Sequence, residues 1–183
     1  MKMMYIHGYG SSYNPNSSKV QALMTIGDVC GINIDYTKSI NNITTLIESA
    51  ILEIKPDLLI GTSMGAFYAN RLGNLLDIPF VMLNPAIEPN ITLAKVGVTD
   101  ENLLSSYSQK FIPKGVGLLF LNLGDELIDS HNTNQSYHKT FRTYMFNGGD
   151  HRFEDISATL NVIKQFYDTL EFTIGTEARL YRT

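Results

Sequence analysis

Short, solidly apolar runs alternate along the chain with longer stretches of helical period. Met3-Met4-Tyr5-Ile6, Leu58-Leu59-Ile60, Phe80-Val81-Met82-Leu83, Val116 to Leu121 and Tyr144-Met145-Phe146 are continuous runs without polar interruption. Runs of that length bounded by turn residues predict strands buried on both faces. Ile32, Ile34 and Tyr36 alternate with polar residues and predict a more exposed strand, the second in chain order. Between the runs, Ser18-x-x-Gln21 has the form of a capping box and predicts a helix to about Gly27. Ile40, Ile43, Leu46, Ile47, Ala50, Ile51 and Ile54 recur at helical spacing until Pro56 stops them. A third helix follows Gly65 to about Leu76, a fourth runs from Asp100 to about Lys110, and another begins at Ser130. Phe153, Ile156, Leu160, Ile163, Tyr167 and Leu170 predict a last helix with one apolar face. Residues after Glu171 read as an edge strand or a loose tail.

Strands that alternate with helices and carry no polar face predict an α/β domain. Its sheet is mostly parallel, of about six strands, with helices on both faces. At 183 residues the chain has the size of one such domain. In this architecture ligands meet the carboxyl ends of the strands. His7 and Tyr9 follow the first strand, Ser63 the third, Asn84 the fourth, Asp125 the fifth and His151 the sixth.

Leu58 to Gly65 organises the rest. The strand ends in Gly61-Thr62-Ser63-Met64-Gly65, the Gly-x-Ser-x-Gly pattern, and small residues continue into the helix. A strand-turn-helix of this kind lifts the serine hydroxyl clear of the sheet, and glycines flank it because side chains there would hold strand and helix apart. A serine needs a base within hydrogen-bond reach, and the base needs an orienting acid. The order Ser63, Asp125, His151 is that of nucleophile, acid and base in α/β-hydrolases. His151 lies in a Gly-Gly loop behind the last strand; His131 and His138 lie in a polar stretch and read as surface residues. Asp125 follows Gly124 at a strand end and is expected to be the acid. Asp129, beside Ser130, is expected to cap the helix that begins there. Backbone N–H groups of Met64 and Tyr9 are the expected oxyanion donors.

His7 is expected to shape its loop through hydrogen bonds and, with Asn84, to line the substrate site. Residues 87–115 leave one strand end and return to the next, so they are expected to form a lid or active-site wall. Tyr107 and Phe111, four apart on its helix, are expected to face the acyl chain, with packing on the core as the alternative.

Composition narrows the classes. The net charge is −4 and no basic run exists, which argues against nucleic acid as a partner. The single cysteine, Cys30, excludes an internal disulfide, fits a reducing compartment and reads as a packed thiol near a helix end. No stretch approaches the ~18 apolar residues of a membrane span, and the N-terminal apolar run is too short for a signal peptide, so a cytoplasmic protein is expected. No phosphate-binding Gly-Lys-Ser/Thr loop is present, and an acidic helix start accounts for Asp150, Glu154 and Asp155 without a metal.

Taken together, Tyr5-Ile6-His7-Gly8-Tyr9 with Ser11-Ser12, Gly61 to Ala69, Asn84-Pro85-Ala86 with Pro89, Gly124 to Asp129, and Gly148 to Phe153 resemble the YqiA/YcfP-type esterases of the α/β-hydrolase superfamily. The resemblance implies a compact α/β-hydrolase fold and a serine carboxylesterase, without metal or cofactor, with Ser63, Asp125 and His151 in the catalytic positions. Gly10 stands where that family usually has asparagine. The expected activity is hydrolysis of small carboxylic esters or thioesters through an acyl-enzyme on Ser63. The alternatives are a non-catalytic α/β-hydrolase-like binding protein, or an acyltransferase or peptidase on the same triad.

Overall fold

A computed structural model describes the backbone of residues 1–180 and the side chains of residues 1–170. Six strands form one sheet in the order β2-β1-β3-β4-β5-β6, all parallel. They are β1 (Lys2–Ile6), β2 (Asp28–Gly31), β3 (Leu58–Thr62), β4 (Phe80–Leu83), β5 (Gly117–Asn122) and β6 (Arg142–Phe146). The helices between and after them are α1 (Ser18–Met24), α2 (Ile40–Ile54), α3 (Met64–Leu76), α4 (Pro89–Lys95), α5 (Glu101–Ser106), α6 (Ser130–Tyr137) and α7 (Ser157–Leu180).

The apolar runs are buried on both sides because the pleat sends alternate residues to opposite faces. Met4, Ile6, Leu59, Phe80, Met82, Leu119 and Leu121 join a core with Ile40, Ile43, Ile47 and Ile51 of α2 and Phe67, Tyr68 and Leu72 of α3. Their neighbours Met3, Tyr5, Leu58, Ile60, Val81, Leu83, Leu118 and Phe120 join a second core with Val20 and Leu23 of α1 and Ile163 of α7. Helices therefore cover both faces, and all six strands point their carboxyl ends to the same edge.

Helix ends follow local chemistry. Ser39 caps α2 by accepting from the Asn42 N–H, and Lys55 closes it in the left-handed conformation, one residue before Pro56. Asp100 accepts from the N–H groups of Asn102 and Leu103, and so starts α5. Asp129 caps α6 by accepting from the Asn132 N–H.

Several boundaries differ from expectation. Ser17 rather than Ser18 caps α1, which ends at Met24 rather than near Gly27. The second strand is Asp28–Gly31 and contains Cys30, which pairs with Met4. Ile32, Ile34 and Tyr36 follow it as a loop: Ile34 and Tyr36 turn into the α2–α3 core, so their alternation reflects burial beneath the first loop rather than sheet pairing. Residues 87–115 hold two helices instead of one. Proline at the first position of α4 opens a turn of chain that its mixed polarity hides, and α5 ends at Ser106, with Tyr107 as its C-cap. α7 starts at Ser157, so Phe153 and Ile156 are buried ahead of it. It then continues to Leu180. No proline interrupts 171–180, and a lone Gly175 costs a helix only about 1 kcal/mol, so the expected edge strand or tail is helix as far as Leu180. Residues 181–183 lie outside the described residues.

The two-sided core makes adjacent positions on α2 unequal. Ile51 is 3% exposed and Leu52 61%. Urea unfolding should show Ile51→Ala losing about 2–5 kcal/mol, whereas Leu52→Ala stays within about 0.5 kcal/mol of the parent.

Candidate active site

Ser63 sits between β3 and α3 with φ 55° and ψ −118°, a conformation that L-residues avoid. The surroundings enforce it. The Ser63 N–H donates to the Leu83 carbonyl, and its own carbonyl accepts from Ala66, Phe67 and Ala86 N–H groups at 3.0–3.2 Å. Gly61 and Gly65 make the turn sterically possible: a Cβ on Gly65 would stand 2.0 Å from the Ile6 carbonyl oxygen, and one on Gly61 2.2 Å from the Gly65 oxygen. Gly8 brings the first loop against the serine in the same way, since its Cβ would lie 3.2 Å from Ser63 Cβ.

The structure brings Ser63, His151 and Asp125 together. His151 Nε2 is 2.7 Å from Ser63 Oγ. On the other side of the ring, Nδ1 lies 2.8 and 3.0 Å from the two Asp125 carboxylate oxygens. A carboxylate only accepts, so Nδ1 carries the proton and Nε2 is left to accept from the serine hydroxyl. The Asp125 side chain is wholly buried. Its Oδ1 also accepts from the Leu127 and Ile128 N–H groups, each at 2.8 Å. A buried carboxylate with three donors is fully paired and held in one orientation. Asp129 points elsewhere, onto the start of α6.

The loop carrying His151 is fastened from below. Asn84 Nδ2 donates to the carbonyls of Asp150 and His151 at 2.9 and 3.3 Å. Asn122 Nδ2 donates to the same Asp150 carbonyl at 3.0 Å, while the Asn122 N–H donates to Asn84 Oδ1 at 2.8 Å. Glu126 accepts the His151 N–H at 3.1 Å. Nothing in the sequence singled out Asn122 or Glu126. The signal available was position alone: both lie at or just past the end of β5, beside the returning loop.

Four residues expected to line the substrate site do not line it. Asn84 is fully buried with φ 44° and spends its amide on the His151 loop. His7 is buried as well: its Nδ1 donates to the Gly8 carbonyl, and Nε2 accepts from the Ile34 N–H at 2.9 Å. Burial pushes the His7 imidazole below its ordinary pKa, which keeps it neutral in that tautomer. Tyr107 is buried in the core with its hydroxyl beside that of Tyr68, and Phe111 packs edge-on against Tyr137 and Phe141. Helix α5 ends before either residue, so they do not share a helical face, and large rings next to the α3 core gain more from burial there than at an open cleft.

A cavity of about 210 Å³ opens at Ser63 and His151. One wall comes from the first loop and α1, including Tyr9, Ser11, Ser12 and Lys19. Leu93 of α4, Val96 at its C-cap and Leu127 supply apolar lining, and Thr92 lines the cavity beside them. Met64 is the first residue of α3, so its N–H has no carbonyl four residues back within the helix. Among the described residues, the Tyr9 N–H has no backbone partner either. Among the described residues, no cluster of three His, Cys, Asp or Glu side chains suits a metal ion, and no helix is long and apolar enough to cross a membrane.

Comparison with known proteins agrees with this architecture. Esterase B from Lactobacillus rhamnosis, solved in an inhibited form, superposes with a TM-score of 0.67 over 97% of this chain and 79% of its own, at 17% identity. The shared fold is that of the α/β-hydrolases. UPF0227 protein VP0969 of Vibrio parahaemolyticus is 28% identical over 180 residues, covering 91% of this chain and 99% of that protein. UPF0227 protein YcfP of Escherichia coli O9:H4 is 27% identical over 175 residues, covering 90% and 97%. A family model described as "Uncharacterised protein family (UPF0227)" matches residues 2–168, and the chain belongs to that family.

Proposed function

We propose that this protein is a serine hydrolase that cleaves small carboxylic esters or thioesters through an acyl-enzyme on Ser63. The observation that carries the reading is the continuous hydrogen-bonded line from Ser63 Oγ through His151 to the buried Asp125 carboxylate. The esterases among the structural neighbours support the class. A binding protein that used the elbow only as scaffold would have no need of a buried carboxylate aimed at the histidine, since burying that charge costs free energy unless its pairing is complete.

In the proposed reaction, Ser63 Oγ attacks the ester carbonyl as His151 Nε2 takes its proton. The carbon–oxygen bond to the alcohol then breaks, and His151 returns the proton to the leaving alcohol. Water repeats the sequence and releases the acid. Asp125 holds the ring in the tautomer that accepts at Nε2 and stabilises the imidazolium formed. The Met64 N–H at the start of α3 and the Tyr9 N–H in the first loop receive the developing oxyanion; each such donor is worth about 3 kcal/mol in the transition state. Helix α4 is the wall of the acyl site. A cavity of about 210 Å³ is small for a binding site, so short acyl groups are the preferred substrates, in a soluble cytoplasmic setting.

A fluorophosphonate should label Ser63 and no other residue, and Ser63→Ala should remove the label while its circular dichroism stays that of the parent; folded parent protein that stays unlabelled defeats the proposal. Asp125→Asn should lower kcat by about 10⁴-fold, whereas Asp129→Asn should cost only about 1 kcal/mol of stability through the lost α6 cap and leave turnover within a few-fold. On a series of 4-nitrophenyl esters, kcat/KM should be highest at acetate or butyrate and fall with chain length; equal or faster cleavage of long-chain esters contradicts the assignment of α4 as a close wall.

A further inference from the structure

The reaction sequence above makes no use of Lys19, yet its side chain enters the same cavity. It leaves α1 and crosses the Tyr5 ring, with Nζ 5.8 Å from the ring centroid. The ammonium donates to the Arg152 carbonyl, the residue after His151. The hydroxyls of Tyr5 and Thr62 stand 3.4 and 3.5 Å from it, Thr62 being the residue before Ser63. Lys19 thus touches the residue before Ser63 and the residue after His151.

A lysine drawn under cover is normally paired with a carboxylate. This one is not. No Asp or Glu oxygen lies within ion-pair distance of it among the described residues, where the pairs are Lys38–Asp35, His151–Asp125 and Lys164–Asp168. It has one carbonyl at bonding distance and two hydroxyls at long range. Burial accordingly pushes the ammonium down to about 8, with the more distant carboxylates of Glu154 and Asp150 opposing the shift and Arg152 adding to it. The lining is mixed: Ser11, Ser12, Ser17 and Ser18 join Lys19 in it, and Leu93, Val96 and Leu127 supply apolar surface. A wholly apolar ester covers the apolar lining and leaves the Lys19 cation unpaired.

Resting on the hydrolase reading above, we propose that Lys19 is a specificity-determining residue and that the substrate is a short ester bearing a carboxylate, which the Lys19 ammonium holds beside the scissile bond. A single negative charge matches the site, because Arg152 and Glu154 line the same cavity with opposite charges and leave the Lys19 ammonium as its net charge. Filling the site completes the pairing that the folded chain leaves open.

The test compares esters in which a carboxylate is free in one member of each pair and masked as a methyl ester in the other, with cleavage followed at the shared ester bond and the rate taken per ester group. Monomethyl succinate against dimethyl succinate places the carboxylate on the acyl side; O-acetylglycolate against its methyl ester places it on the alcohol side. In one of the two pairs, kcat/KM of the parent protein should favour the anion at least 10-fold at pH 7. Lys19→Met should erase that preference, and Lys19→Arg should keep part of it. The preference should also fade as pH rises through about 8, where the ammonium loses its proton. The titratable or charged groups facing it are Tyr5, Asp150, Arg152, Glu154 and His151. Both esters of a pair use the same triad, so any pH dependence of the chemistry itself cancels in the ratio, and burial moves the Tyr5 phenol upward, away from this range. Parent protein that favours the neutral ester in both pairs, or a preference unchanged in Lys19→Met, overturns the proposal.

Binding separates this inference from the hydrolase reading. In an NMR titration of the Ser63→Ala protein, the favoured anionic ester should bind at least 10-fold more tightly than its neutral partner, and added Lys19→Met should remove the difference. Equal affinities overturn the Lys19 assignment even if esters are cleaved. Charge-selective binding, in a protein whose parent neither takes the fluorophosphonate nor turns over any ester, overturns the hydrolase reading and leaves the anion site standing.

Discussion

The close approach of β1, β3 and α3 at Gly61 and Gly65 is the constraint on which the site depends. With a Cβ at Gly65 only 2.0 Å from the Ile6 carbonyl, the helix would have to move away from the sheet. Ser63 would then lose the contacts that hold its backbone in a conformation costing about 1–3 kcal/mol. Four backbone hydrogen bonds at Ser63 and the packed α3 core oppose that strain. The hydroxyl consequently occupies one place at the sheet edge, and the Met64 N–H opens the helix beside it.

The histidine and the aspartate are located by a different means. Each comes from a loop, and loops are poorly fixed by local preference. Here the fixing comes from buried amides. Asn84 and Asn122, at the ends of neighbouring strands, hold each other and the carbonyls of the His151 loop. Asp125 is held by two N–H groups from its own loop in addition to the imidazole. His7 plays the corresponding part for the first loop, binding the Gly8 carbonyl and the Ile34 N–H. Neutral, hydrogen-bonded polar side chains thus support the line that runs from Ser63 through His151 to Asp125. Lys19, which has no carboxylate within ion-pair distance among the described residues, lines the cleft beside that support.

Much of this was legible in the chain itself. Binary pattern located five of the six strands, Pro56 ended α2, and Gly-x-Ser-x-Gly marked the elbow, because each depends on sterics within a few consecutive residues. Chain order sufficed to pair Ser63 with Asp125 and His151, since parallel strands deliver their following loops to one edge. Even the split between Asp125 and Asp129 was readable, from a strand end on one side and a helix start on the other.

What the sequence could not carry was which buried polar or aromatic residue faces the cleft and which faces the core. Asn84, His7, Tyr107 and Phe111 all stand near the right edge in chain order, and all four turned inward; Lys19, on an unremarkable short helix, turned to the cleft. Ile34 and Tyr36 imitated a strand because burial beneath a loop leaves the same alternation as a sheet. The sequence by itself determined most of the elements, their order and the shared edge on which Ser63, Asp125 and His151 stand, through local backbone sterics and hydrophobic period. The tertiary structure alone decided the lining of the cavity, because the facing of a side chain depends on free space and partners supplied by segments dozens of residues away.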